Sequence, residues 1–343
     1  MGVNERSVVQ VGPVTSMPGG IAAVIEQYIR MELGGRRSIA YASYWPGRPL
    51  RGLLSAGVFP VWALVRRRRS STIVHVHLSE GGSFLREGLI VKTAALLGYT
   101  VAATLHGAGF VDYVRDSPAS ARRVLEACRV VFCLGQIHAD VVGLLTRKTE
   151  PVRILNPVDL RRRGTGRTAP KPTVLFGGEV GTRKGVDRLL AAWPEVQRRV
   201  PDARLVVYGP VTGEVTLPQD IEYKGVLDRE ALRVALSEVT VACLPSRQEV
   251  LPMFILESLA EGTPVVATKA GEWRSFDGVA DISWVDNDDA TVVAELSEAL
   301  IKALIGAHRV SSGTHAWLRE NASTDAVANT LRRTYERISE ASR

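Results

Sequence analysis

The chain is 343 residues long, 45% hydrophobic and 23% charged, enough to bury a sizeable core and to build two domains of ordinary size. Its formal net charge of +7 favours anionic partners such as phosphates, acidic glycans or a membrane surface. Nucleic acid is not an expected partner, because the basic residues are scattered apart from Arg66 to Arg69 and Arg161 to Arg163, and no aromatic-interleaved pattern accompanies them. Cys128, Cys133 and Cys243 lie in apolar runs without metal-ligand spacing and read as buried thiols of a reducing compartment. The first residues lead into a strand pattern with no secretory apolar region, so the expected location is the cytoplasm.

In chain order, Ser7 to Gly12 reads as a short buried strand. A turn at Pro18-Gly19-Gly20 follows, and Ile21, Val24, Ile25, Tyr28 and Ile29 then repeat at helical spacing. The Gly19-Gly20 backbone can approach a phosphate or an acceptor without side-chain interference. Gly52 to Val65 is apolar, contains Phe59, Pro60 and Trp62, and ends at four arginines. It is too short to span a bilayer, which takes ~20 residues. It reads as a core helix with a charged end or as a patch resting on an anionic membrane. Further strands are predicted over Ile73 to His77, Tyr99 to Thr104 and Val130 to Leu134, with helical patterns between them. Such alternation predicts a parallel sheet covered on both faces. His106 comes directly after one of these strands, at the carboxyl end where parallel sheets place ligands, whereas His75, His77 and His138 read as structural.

From Asn156 to Pro172 the composition turns polar and rich in Gly and Pro, which suits a linker and sets domains at 1–160 and 161–321. Strands of a second α/β unit are predicted over Thr173 to Phe176, Leu205 to Tyr208, Val239 to Leu244, Pro264 to Thr268 and Ile282 to Val285. Val186, Leu189, Leu190, Trp193 and Val196 mark a helix between the first two, and Val327, Leu331, Tyr335 and Ile338 mark a final amphipathic helix within 322–343. The glycine-rich Phe176 to Gly185, with Arg183 and Lys184, ends the first of these strands and opens a helix, as a phosphate site does. Asp286-Asn287-Asp288 has D-x-D spacing, but in an Asn/Asp run after a late strand it reads as turn chemistry, and no metal site is expected.

The most specific string runs from Pro245 to Glu257 and is followed by Ala260, Gly262, Pro264 and an apolar strand. Glu249 lies in the loop before a helix whose first turn takes Pro252 and whose end is set by Gly262 and Pro264. Glu257 falls in the second turn among apolar residues, where a carboxylate needs polar company. This string resembles the E-x7-E signature of retaining glycosyltransferases of family 4, which have the GT-B fold of two Rossmann-like domains with parallel sheets facing across a cleft. The resemblance implies an acceptor-binding N-terminal domain onto which the last helix packs, and a C-terminal domain that binds a nucleotide sugar. It places Glu249 on the transferred sugar, Glu257 on the ribose, and Lys184 with the backbone at Val250, Leu251 and Pro252 on the diphosphate. His106 would line the reacting face and the Gly19-Gly20 loop would face the donor.

The chain departs from the family pattern in three places. Glu179 stands where the family has a phosphate-binding Arg, a loss for which Arg183 is expected to compensate. Val250 stands where many relatives have Gly, and Glu272, Arg274 and Ser275 replace the usual Gly, Pro and Glu. The expected function is metal-independent, retaining transfer of a glycosyl group from a nucleoside-diphosphate sugar to a hydroxyl of a glycan, lipid-linked or small-molecule acceptor in cell-surface polysaccharide or glycoconjugate biosynthesis. No cofactor is expected. The alternatives are a GT-B epimerase or phosphorylase, and a sugar-nucleotide binding protein without turnover.

Overall fold

The computed structural model of the chain describes residues 6–17, 19–45, 47–48, 50–51, 54–55, 57–59, 62, 71–160, 171–213 and 215–340. They form two compact units, one of Met1–Pro157 with Thr324–Arg343 and one of Val158–Ser323. The division lies a few residues from the boundaries read in the sequence. Val158 donates its N–H to the Ala322 carbonyl at 2.8 Å, which ties both edges of the second unit together.

In the first unit, strands β1 (Ser7–Pro13), β2 (Arg37–Tyr44), β3 (Thr72–Leu78), β4 (Thr100–Leu105), β5 (Val130–Cys133) and β6 (Glu150–Arg153) form one parallel sheet in the order β2-β1-β3-β4-β5-β6. The central strands are buried along nearly their whole length, which is why they read as largely continuous apolar runs rather than alternating ones. Around them lie α1 (Gly20–Arg30), α2 (Gly81–Leu96), α3 (Phe110–Asp116), α4 (Pro118–Leu125), α5 (Gln136–Leu145) and the last helix of the chain. That helix, Thr324–Glu340, buries Val327, Leu331, Tyr335 and Ile338. The Tyr335 hydroxyl reaches His75 Nδ1 at 2.5 Å.

The second unit repeats the plan with β7 (Thr173–Gly177), β8 (Arg204–Tyr208), β9 (Glu222–Tyr223), β10 (Val241–Leu244), β11 (Val265–Thr268) and β12 (Ile282–Val285) in the order β12-β11-β10-β7-β8-β9. Its helices are α6 (Val186–Arg199), α7 (Arg229–Ser237), α8 (Met253–Ala260), α9 (Val292–Ile305) and α10 (Ser312–Asn321), so the terminal helix is α11. In each sheet the chain returns past its first strand once. That leaves a point of reversal between β1 and β3, and another between β7 and β10. Loops at the carboxyl ends of such neighbours diverge and open the crevice where parallel sheets bind ligands.

The linker at 161–170 and the arginines at 66–69 lie outside the described residues. Of the apolar stretch before those arginines, Phe59 is buried and packs with Trp62 against Tyr41, at ring separations of 5.1 and 4.8 Å, while Leu54 and Val58 are exposed. No described helix is long and apolar enough to cross a membrane.

Candidate functional site

At the reversal point of the second unit, the loops after β7 and β10 interlock. Gly185 ends the 3-10 turn Thr182–Lys184 with a left-handed φ of +72°, and a Cβ there would lie 1.9 Å from the Pro245 carbonyl oxygen. Only glycine permits that approach. The Arg247 N–H donates to the Arg183 carbonyl at 2.9 Å, and its guanidinium grips both Asp187 oxygens at 2.8 Å. Arg188, 4% exposed, donates to the Pro245 carbonyl at 3.3 Å and to Asn287 and Asp289 at 2.7 and 2.6 Å. Asp286-Asn287-Asp288 is thereby used within the fold. Asp286 pairs with Lys269 at 2.5 Å, Asn287 donates to the Arg247 carbonyl at 3.1 Å, and Asp288 accepts from the Ala290 N–H at 3.0 Å.

These ties bring Lys184 onto Glu249. The two form an ion pair with side chains only 18% and 10% exposed, and Ser246 Oγ donates to the same carboxylate oxygen at 2.8 Å. Arg183 turns its guanidinium to Glu179 at 2.8 Å, and Thr212 Oγ1 donates to that carboxylate at 2.9 Å. The hydrogen bond from Arg183 holds Glu179 below the usual carboxylate range, so its side chain carries negative charge near pH 7.

Helix α8 begins at Met253. Pro252, with φ −70° and ψ 122°, is the extended residue before it rather than part of the first turn as read from the sequence. Proline has no N–H, so it donates nothing to an anion, and the free donors of the helix start fall to Met253 and the residues after it. No side chain caps this end. Val250 and Leu251 bury their side chains and turn only backbone to the loop, where the Glu272 N–H donates to the Val250 carbonyl at 3.0 Å. Glu257, in the second turn, accepts from Arg229 Nε at 3.1 Å; burial raises its pKa against the pull of Arg229. One turn on, Glu261 pairs with Arg233 at 2.8 Å, and burial pushes its pKa up to about 7.

The other residues singled out in the sequence belong to the first unit. Gly19 takes a φ of +136°, disfavoured for any residue with a Cβ, immediately before α1, and Gly20 is that helix's first residue. His106 follows β4, where its N–H donates to the Leu78 carbonyl at 2.8 Å. Its side chain continues into the sheet: His106 Nε2 lies 2.9 Å from His77 Nδ1, and His77 Nε2 lies 3.1 Å from Gln10 Oε1. His75 stacks on His77 at 4.8 Å. Burial lowers the pKa of His75 and His106 to about 3 and of His138 to about 4, and holds His77 well below the usual value, so these rings are neutral near pH 7. Sequence reading set His77 aside as structural and passed over Gln10. The signal was available in the His-x-His spacing, which puts both rings on one face of a strand.

Sequence and structure comparisons sharpen this picture. Residues 171–306 match the family model described as glycosyl transferases group 1. The matched residues span the whole Lys184–Glu249–Glu257 arrangement. A curated relative from Segniliparus rotundus, D-inositol 3-phosphate glycosyltransferase, is 30% identical over 176 residues, covering 46% of this chain and 39% of that protein. The chain thus spans about two fifths of that relative's length. Among solved structures, a sucrose-phosphate synthase from Thermosynechococcus elongatus superposes with a TM-score of 0.76 at 16% identity, covering 98% of this chain and 100% of that one. Anabaena HepE in complex with UDP-glucose follows with a TM-score of 0.72 at 13% identity, covering 96% and 99%. At such identities the likeness is one of fold, and it is the GT-B fold expected from the sequence.

Proposed function

We propose that the chain is a retaining, metal-independent glycosyltransferase of family 4 type that uses a nucleoside-diphosphate sugar. The observation that carries this reading is the Lys184–Glu249 pair beside the uncapped start of α8, inside the stretch that matches group 1 glycosyl transferases. A diphosphate arriving there takes Lys184 from Glu249 and meets the N–H groups of the helix start, whose dipole favours negative charge. Glu249, released, accepts hydrogen bonds from hydroxyls of the transferred sugar, and Glu257 does the same for the ribose. The bond between the anomeric carbon and the phosphate oxygen breaks, the acceptor oxygen bonds to that carbon on the same face, and the acceptor proton passes to the departing phosphate. Rate enhancement rests on positioning and on electrostatic stabilisation of the leaving group.

The acceptor is a hydroxyl of a glycan, a lipid-linked sugar or a small molecule, bound by the first unit. We place the protein in the cytoplasm at the inner face of the membrane, in assembly of cell-surface polysaccharide or glycoconjugate. A thermal-shift panel of UDP- and GDP-sugars tests the donor class, since a ligand at 100 times its Kd stabilises by about 2.7 kcal/mol. Release of nucleoside diphosphate only when an acceptor is present establishes transfer; no shift with any member of the panel overturns the reading. The Glu179–Arg183 pair favours a second reading, a sugar-nucleotide binding protein without turnover, which predicts shifts without nucleotide release.

A further inference from the structure

We infer that Gln10 and His77 form a one-way hydrogen-bond chain that fixes the tautomer of His106, so that His106 presents an unprotonated Nδ1 as a hydrogen-bond acceptor for a substrate hydroxyl. This rests on the proposed sugar-transfer reading for its substrate and on the geometry alone for its polarity. Gln10 Nε2 donates to Ser38 Oγ at 3.4 Å, and its Oε1 lies 3.1 Å from His77 Nε2. An amide oxygen only accepts, so His77 carries its proton on Nε2 and its Nδ1 is a lone pair. That lone pair faces His106 Nε2 at 2.9 Å, so His106 Nε2 must be the donor and Nδ1 the bare nitrogen. Among the described residues, nothing is hydrogen-bonded to His106 Nδ1.

The surroundings keep the chain neutral and in place. His77 is 1% exposed and Gln10 fully buried, and His75 stacks flat on His77, itself held between the Tyr335 hydroxyl at 2.5 Å and Thr104 Oγ1 at 2.7 Å. A neutral imidazole has one N–H, so a donor at one end of this chain dictates the acceptor at the other. Flipping the Gln10 amide would reverse every member and turn His106 Nδ1 into a donor. Gln10 and His77 are thus positioning residues, acting at two removes and one remove through His106.

The direct test is the two-bond 1H–15N correlation spectrum of the histidine-15N protein at pH 7.5, which reads each tautomer without donor or acceptor. The inference expects Nε2 protonated and Nδ1 bare in both His77 and His106. His106 with its proton on Nδ1 overturns it, whatever the protein's activity. Gln10→Leu should convert His106 to a tautomer mixture. It should lower kcat by about tenfold with donor KM unchanged, less than the roughly 100-fold that loss of a positioned acid or base group costs. His77→Asn, whose Oδ1 replaces the Nδ1 acceptor, should keep the Nε2–H tautomer of His106 and most of kcat. A Gln10→Leu protein whose His106 tautomer is unchanged refutes the relay. Absence of sugar transfer in the unaltered protein refutes the functional reading instead and leaves the polarity to the spectrum.

Discussion

The two sheets share one plan and furnish their reversal points in opposite ways. Between β7 and β10, the second unit assembles formal charges: Lys184 on Glu249, Arg183 on Glu179, and Arg247 on Asp187 and Asp289. Between β1 and β3, the first unit assembles neutral dipoles, with Gln10, His77 and His106 joined end to end and His75 stacked alongside. Paired charges that an incoming anion can exchange suit a diphosphate. A buried neutral chain cannot offset a phosphate, but its ring nitrogens can accept from or donate to hydroxyls. The same topology is thus specialised by which side chains stand at the strand ends, and each half can be tested separately.

The largest expected effect is a difference in acid stability. In the first unit His75 and His106 have pKa values near about 3 and His138 near about 4, and His77 is also held low. Each is protonated in the unfolded chain below its ordinary value of 6.5 but stays neutral when folded. The unfolded state therefore binds more protons, and stability falls as pH drops from 6.5 toward 4, by up to about 1.4 kcal/mol per pH unit for each ring. In the second unit Glu261 works the other way. Its pKa is raised to about 7 from 4.5, so the folded state binds the extra proton and gains stability over the same fall. Hydrogen exchange between pH 7 and 4.5 should show β3 and β4 losing protection before β7 and β10. Simultaneous loss would erase the distinction.

Next in size is the anchor of α11. Tyr335 is fully buried, and Tyr335→Ala removes its ring from the core and the partner of His75, which should cost about 3–5 kcal/mol of first-unit stability. Urea melts followed at segments of each unit should show the loss in the first; a loss confined to the second contradicts the assignment. For the charged half, Lys184→Ala should lower kcat/KM by about 2–4 kcal/mol, roughly 30- to 1000-fold, because a cation on the developing charge is lost. A neutral outcome in transfer assays would detach Lys184 from the chemistry. The smallest effect is that of Arg183→Ala. The pair with Glu179 is 43% and 33% exposed, so donor affinity in calorimetry should change by less than about 1 kcal/mol. A tenfold or larger loss would show that Arg183 leaves Glu179 for the phosphate.

Much of this architecture was legible from periodicity. Strands β1, β3, β4, β5, β7, β8, β10, β11 and β12 and the helices α1, α6 and α11 carry apolar patterns that tertiary context does not override. The edge strand β2 was not predicted, because Arg37–Tyr44 is mostly small and polar and largely half-exposed. The short β6 and the two-residue β9 leave too little pattern to read. In the site, the sequence spacing around Glu249 and Glu257 pointed to the helix and its two acids, but not to the partners that distant parts of the chain supply. Lys184 lies 65 residues from Glu249, Arg229 lies 28 from Glu257, and Gln10 lies 67 from His77. Such pairings depend on strand order, which local patterns do not encode. The offset at Pro252 is a matter of one residue, yet it moves the free amides of the helix start onto Met253 and the residues after it.

The central claim is that the Lys184–Glu249 pair opens to receive a pyrophosphate, and a crystal structure with UDP-glucose or GDP-mannose soaked in tests it most directly. The account predicts phosphate oxygens on Lys184 Nζ and on the first N–H groups of α8, with Glu249 turned to the sugar and Glu257 to the ribose. A nucleotide sugar bound elsewhere, with Lys184 still on Glu249, would contradict it.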